Sequence, residues 1–181
     1  MLDQLLNLVR KHAGDAIVTN PSIPNERNDE AIAGASGSIV NSLQSMLQQG
    51  NITDLLGMFA GRSSANQAVN SQVSGGLIQD LMARFGLNPQ QAGSVANRVV
   101  PGVLNDMVTK TNDPNDNSFN IQQIFNNLSG GQTSGFNMQA LLDKLKGGKL
   151  DFDGDGDTDL QDLLSLVKGG GLMNKVKGLF N

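Results

Sequence analysis

Residues 76–111 read "GLIQDLMARFGLNPQQAGSVANRVVPGVLNDMVTKT". Leu77, Ile78, Leu81, Met82 and Phe85 recur at spacings of one, three and four, which predicts a helix with one apolar stripe. The stripe stops at "GLNPQQ", where Asn88 is placed to cap a new helix and Pro89 falls at its first turn, a position that costs no backbone hydrogen bond. A second helix follows, in which Pro101 predicts either a kink or a division after Val100. Two helices joined by a short Gly-containing turn point to an all-α body.

Outward from this hairpin the same helical spacing continues. Leu2, Leu5, Leu6, Val9 and Ala13 predict an amphipathic first helix over residues 2–13, stopped by Gly14. "VTNPSIPNERND" reads as a loop with two prolines. From about Asn28 to Gln49 a long helix turns Ile32, Ala35, Ile39, Leu43 and Met46 or Leu47 inward, with Gly50 as its stop. Within it "AIAGASGS" offers small residues against which another helix can pack closely. Its Gly34, Ser36 and Ser38 do not form the G-x-S-x-G frame of a hydrolase nucleophile. "NITDLLGMFAGR" predicts a short helix, and "SSANQAVNSQVSGG" a polar, partly helical connector.

The helix-turn-helix outline of residues 76–111 is also that of a DNA reader. The candidate recognition helix "PQQAGSVANRVV" carries a single basic residue, Arg98, whereas phosphate contacts need several. A packed helical hairpin is the better reading. The stretch "LMARFGLNPQQAGSVANRVVPGVLNDM" resembles the bacterial YidB-like family of unknown function, whose members carry a similar L-G-L-x-x-x-x-A turn followed by an apolar helix with L-P or V-P. The resemblance covers roughly residues 30–110 and implies an all-helical fold without established catalytic residues.

The last third of the chain has a different character. "LDFDGDGDTDLQDLLSLV", residues 150–167, places six aspartates within twelve positions, and like charges so close call for a cation. With Asp151 as position 1, Asp153, Asp155, Asp157, Asp159 and Asp162 fall at 3, 5, 7, 9 and 12, and Gly156 at 6. This is the spacing of an EF-hand loop. Side-chain oxygens of Asp151, Asp153 and Asp155 would face a Ca²⁺ ion, Asp157 would give its carbonyl, Asp159 would act through a water, and Asp162 would close the shell. Gly156 supplies the sharp turn. Most EF-hands end in Glu; Asp162 is one methylene shorter, which weakens two-oxygen coordination and admits Mg²⁺ beside Ca²⁺. An aspartate at that place is what dockerin repeats use, so residues 150–167 resemble a dockerin-type calcium motif. Leu160, Leu163, Leu164 and Val167 then share one face of the exiting helix.

"DPNDNSFNIQQIFNNLSGG" can be laid on the same pattern, with Asp113, Asn115 and Asn117 on Asp151, Asp153 and Asp155. It lacks the glycine and the final carboxylate and contains Pro114, so it reads as a degenerate partner hand without metal or, equally, as an Asn-rich turn before a helix. Leu141, Leu142 and Leu145, on the helix leading into the calcium loop, are expected to form a small metal-dependent core with Leu163, Leu164 and Val167. The segment at 113–128, the tail at 172–180 or a second copy of the chain would complete it. In the tail, Leu172, Met173, Val176, Leu179 and Phe180 share a face, which reads as docking on the EF-hand side rather than on a membrane.

Composition bounds the rest. Of the 17 acidic residues six lie in the loop, so the remainder holds 13 basic against 11 acidic groups and has no field for nucleic acid. There is no cysteine, Trp or Tyr. No apolar run reaches membrane-spanning length and no secretory leader is evident, which predicts a cytoplasmic protein. The only histidine, His12, reads as a solvated residue beside Lys11, leaving no acid-base pair for catalysis. The expectation is a non-enzymatic, all-α protein: a YidB-like helical body at 1–111 and an EF-hand-like module at 112–181. Calcium would stabilise the module for contact with a protein partner or for self-association. A DNA-binding regulator and a structural self-assembling subunit are the alternatives.

Overall fold

The computed structural model describes residues 2–147, and every described element is helical. Seven α-helices follow in order: α1 Leu2–His12, α2 Asn28–Gln48, α3 Ile52–Phe59, α4 Ser63–Phe85, α5 Pro89–Asn112, α6 Ile121–Leu128 and α7 Met138–Lys146. The proline loop after α1 contains a π-type turn at Gly14–Val18 and a 3-10 turn at Asn25–Arg27. No described helix is long and apolar enough to cross a membrane.

The turn between α4 and α5 is built as its residues dictate. Gly86 takes a left-handed φ of 67°, which ends α4 at no steric cost. Asn88 then accepts from the Gln91 N–H at 2.9 Å, and the Gln91 side chain accepts from the Asn88 N–H at 3.0 Å. This reciprocal capping box starts α5 with Pro89 in its first turn. Leu87, between the two helix ends, is buried. Pro101 neither ends nor divides α5. It lies on the exposed face, where the carbonyl deprived of its partner can bond to water.

The largest departure from expectation is the polar stretch "SSANQAVNSQVSGG". It belongs wholly to α4, whose buried residues Ala65, Val69, Val73, Leu77 and Leu81 stand four apart. Helix α4 packs on α2, α3 and α5 and is the centre of the body. Of the small residues at 31–38, Ser38 lies at the close approach of α4, its hydroxyl 3.8 Å from where a Cβ at Gly76 would stand, while the tightest contact there is with Ser42, one turn further along α2. On the downstream part of α4, Leu77 and Leu81 are fully buried, Ile78 and Phe85 partly so, and Met82 is exposed. Phe85 lies under the Arg27 guanidinium, 4.4 Å from the ring centre, and Arg27 also donates to the Arg84 carbonyl at the end of α4.

Residues beyond α5 join the same core. Phe119, Ile121, Ile124, Phe125 and Leu128 are buried, and Phe125 meets Phe59 of α3 edge-on with ring centres 6.2 Å apart. Helix α7 packs on α6, one of the partners expected for it, and also on α3 of the body. Leu141, Leu142 and Leu145 are thereby buried in the main core rather than in a separate small one.

Contact between α3 and α4 gives a direct test of this packing. A Cβ at Gly57 would stand 2.7 Å from the Ala65 Cβ, a group with no side-chain torsion by which to move aside. Gly57→Ala should therefore lower stability by about 1–2 kcal/mol, overpacking outweighing the gain in helix propensity. Adding Ala65→Gly should recover part of the loss in urea unfolding.

Candidate metal centre

The six candidate ligands Asp151, Asp153, Asp155, Asp157, Asp159 and Asp162 lie outside the described residues, as do Gly156, the apolar residues 160–167 and the tail at 172–180. The structure does define the helix that leads into the loop. Asn137 caps α7 by accepting from the Ala140 N–H at 2.9 Å. At its other end the Lys146 ammonium donates to the side-chain oxygen of Asn112, the last residue of α5. The Asn112 amide donates to the carbonyls of Phe59 and Val108, each at 2.9 Å. One asparagine thus ties together the C-terminal ends of α3, α5 and α7. The lysine there faces the partial negative charge of three helix ends, a favourable placement.

The residues at 113–117, aligned above with the calcium loop, form a local turn ahead of α6. Asp113 accepts from the Asn115 N–H at 2.9 Å in a local turn. Asp116 is held by the Lys110 ammonium at 2.7 Å, by the Ser118 N–H at 2.8 Å and by the Ser118 hydroxyl. A lysine thus supplies the positive charge at this loop. These bonds, that from Lys110 foremost, lower the Asp116 pKa from 3.8 to about 2. Among the described residues no group of three or more His, Cys, Asp or Glu side chains is placed to hold a metal.

His12 is not the solvated residue expected. Its Nε2 lies 2.9 Å from Asp106 on α5, its side chain is 24% exposed, and Lys11 donates to the same carboxylate oxygen at 2.8 Å. Burial pushes the Asp106 carboxyl up, but the hydrogen bonds from Lys11 and His12 outweigh it and leave the pKa below its ordinary value. The imidazole lies so close to α5 that a Cβ at Gly102 would stand 2.5 Å from Nδ1. Sequence spacing could not reveal this pair, because 94 residues separate its members. The arrangement joins α1 to α5.

The distribution of cations bears on nucleic-acid binding. Arg10, Arg27, Arg84 and Lys110 are paired with Asp29, Glu30, Asp80 and Asp116. Arg98 is exposed on α5, without a basic cluster from its own helix beside it. The scan against protein-family models and the searches of curated proteins and of solved structures find no match for this chain.

The depressed pKa of Asp116 fixes the sign of a pH effect. The Lys110–Asp116 contribution is complete above pH 4 or so and is lost as pH falls through about 2. Asp116→Asn should flatten the decline in unfolding free energy between pH 5 and pH 2, measured by urea titration. An unchanged slope would remove Asp116 from the acid response.

Proposed function

We propose that this chain is a non-enzymatic calcium-binding helical protein that holds one Ca²⁺ in the loop 151–162. The observation that carries the reading is the spacing of Asp151, Asp153, Asp155, Gly156, Asp157, Asp159 and Asp162 ahead of a helically periodic apolar run. The donor chemistry fits a hard cation, since the set consists of carboxylates and carbonyls and the chain has no cysteine. The docked α7 supports it further: an EF-hand needs a firm helix before its loop, and α7 is pinned by α3, α6 and the Lys146–Asn112 bond. In this reading Asp151, Asp153 and Asp155 supply side-chain oxygens, Asp157 a backbone carbonyl, Asp159 a water-mediated contact, and Asp162 the closing carboxylate. The loop is of the dockerin type and the helical body YidB-like. Calcium serves to order the region after Lys146 for contact with a protein partner or a second copy of the chain.

The helix-turn-helix alternative is disfavoured by the pairing of cations on the body. Self-assembly through the small-residue face of α2 is disfavoured because α4 of the same chain covers part of it.

Isothermal titration tests the reading. One Ca²⁺ should bind with a dissociation constant of about 10⁻⁶ to 10⁻⁴ M, more weakly for Mg²⁺, because the donors are numerous but the last is short. At a free calcium concentration of a hundred times that constant the folded form should gain about 2.7 kcal/mol. The double substitution Asp151→Ala/Asp155→Ala should abolish both effects, and calcium binding unchanged by it would place the site elsewhere.

A further inference from the structure

The chain contains one Asp–Pro bond, Asp113–Pro114, and it lies between the helices α1–α5 and the pair α6–α7. Both residues are exposed. The bond opens a β-turn in which the Asp113 carbonyl accepts from the Asp116 N–H at 3.1 Å, with aspartate at the first place and proline at the second, as such turns favour. Within the same turn one oxygen of the Asp113 carboxylate accepts from the Asn115 N–H at 2.9 Å. The other makes no hydrogen bond among the described residues.

Two features set this bond apart from every other in the chain. Attack of the Asp113 carboxyl on its own carbonyl carbon closes a five-membered ring, a geometry in which neighbouring groups react readily. The leaving nitrogen belongs to proline, a tertiary amide without an N–H, more basic than other peptide nitrogens and so more easily protonated in acid.

We infer that Asp113–Pro114 is a self-cleavage site that opens in acid, with the Asp113 carboxyl as nucleophile. A carboxyl oxygen bonds to the Asp113 carbonyl carbon, the bond from that carbon to the Pro114 nitrogen breaks, and the nitrogen takes a proton from the medium. The cyclic anhydride left on Asp113 adds water, which restores the side-chain carboxyl beside a new chain terminus. The net change is hydrolysis, with nothing oxidised or reduced. The turn assists: the Asp116 N–H polarises the carbonyl under attack, and the Asn115 N–H holds the carboxyl within the same turn.

The charged groups described around the turn are Lys110 and Asp106 on α5, Asp116 itself, and Lys146 of α7, which is bound to the neighbouring Asn112. Asp116 keeps its charge down to about pH 2, so its bonds to Lys110 and Ser118 hold the turn in acid. Cutting here does not part the halves at once. Helix α6 stays packed on α2 and α7 on α3, with Phe125 against Phe59, so the product is a nicked protein.

The test is intact-mass spectrometry of the full chain held at about pH 3 and at about pH 7, with circular dichroism on the same samples. Two pieces, residues 1–113 and 114–181, should accumulate at the lower pH alone while the helical signal persists. Asp113→Asn, which keeps the acceptor of the turn, and Pro114→Ala should each slow the cut at least about tenfold. Asp113→Glu keeps the charge but needs a larger ring, and should slow it as well. The inference fails if the chain stays whole, if Asp113→Asn or Asp113→Glu is cut at an unchanged rate, or if cutting occurs only in concentrated urea, which would show that the fold shields the bond. Loss of the helical signal at the lower pH would overturn it too, because the turn would then no longer present the bond.

Discussion

A winding stripe on α4 organises the body. Ala65, Val69, Val73, Leu77 and Leu81 are all buried and stand four residues apart. Four residues turn the helix about 40° past a full revolution, so five such positions sweep through roughly 160°. A helix with this pattern cannot bury its apolar side against one neighbour. It meets α3 at Ala65, α2 at Gly76 and α5 along the hairpin, and the small residues at these contacts let the backbones come close. The other helices are placed largely by where this stripe faces.

That geometry explains which parts of the fold could be read from residues alone. Helix α2 and the α4–α5 turn were legible because their signals are local: apolar residues at one angular position, Asn88 before Pro89, and glycine at a chain reversal. The upstream half of α4 was not, because its apolar residues are few, drift in angle and lie among Asn, Gln and Ser, and because Gly75 and Gly76 have the look of a helix stop. In the folded chain Gly76 is a contact point on α2, and packing outweighs low propensity. Distant pairs were equally out of reach. Nothing near His12 signals Asp106, and nothing near Lys146 signals Asn112.

The candidate metal loop is the opposite case, since all its information lies in twelve consecutive residues. What those residues could not convey is how the loop is attached. An isolated EF-hand would need calcium to hold its first helix. Here α7 is held by apolar contacts to α3 and α6 and by the asparagine that joins three helix ends. On the calcium reading this lowers the ordering cost of metal binding, because the last described helix before the loop is already docked.

By its packing on α3 and α6, α7 belongs to the body independently of metal. Hydrogen exchange followed by mass spectrometry, on the full chain in chelator and again in saturating calcium, measures this directly. The backbone amides of residues 141–146 should be protected in chelator to the same degree as those of α3, with calcium adding protection only after Lys146. Exchange of residues 141–146 at the rate of an unfolded segment in chelator, with protection appearing on addition of calcium, would contradict it and make α7 part of a metal-dependent module.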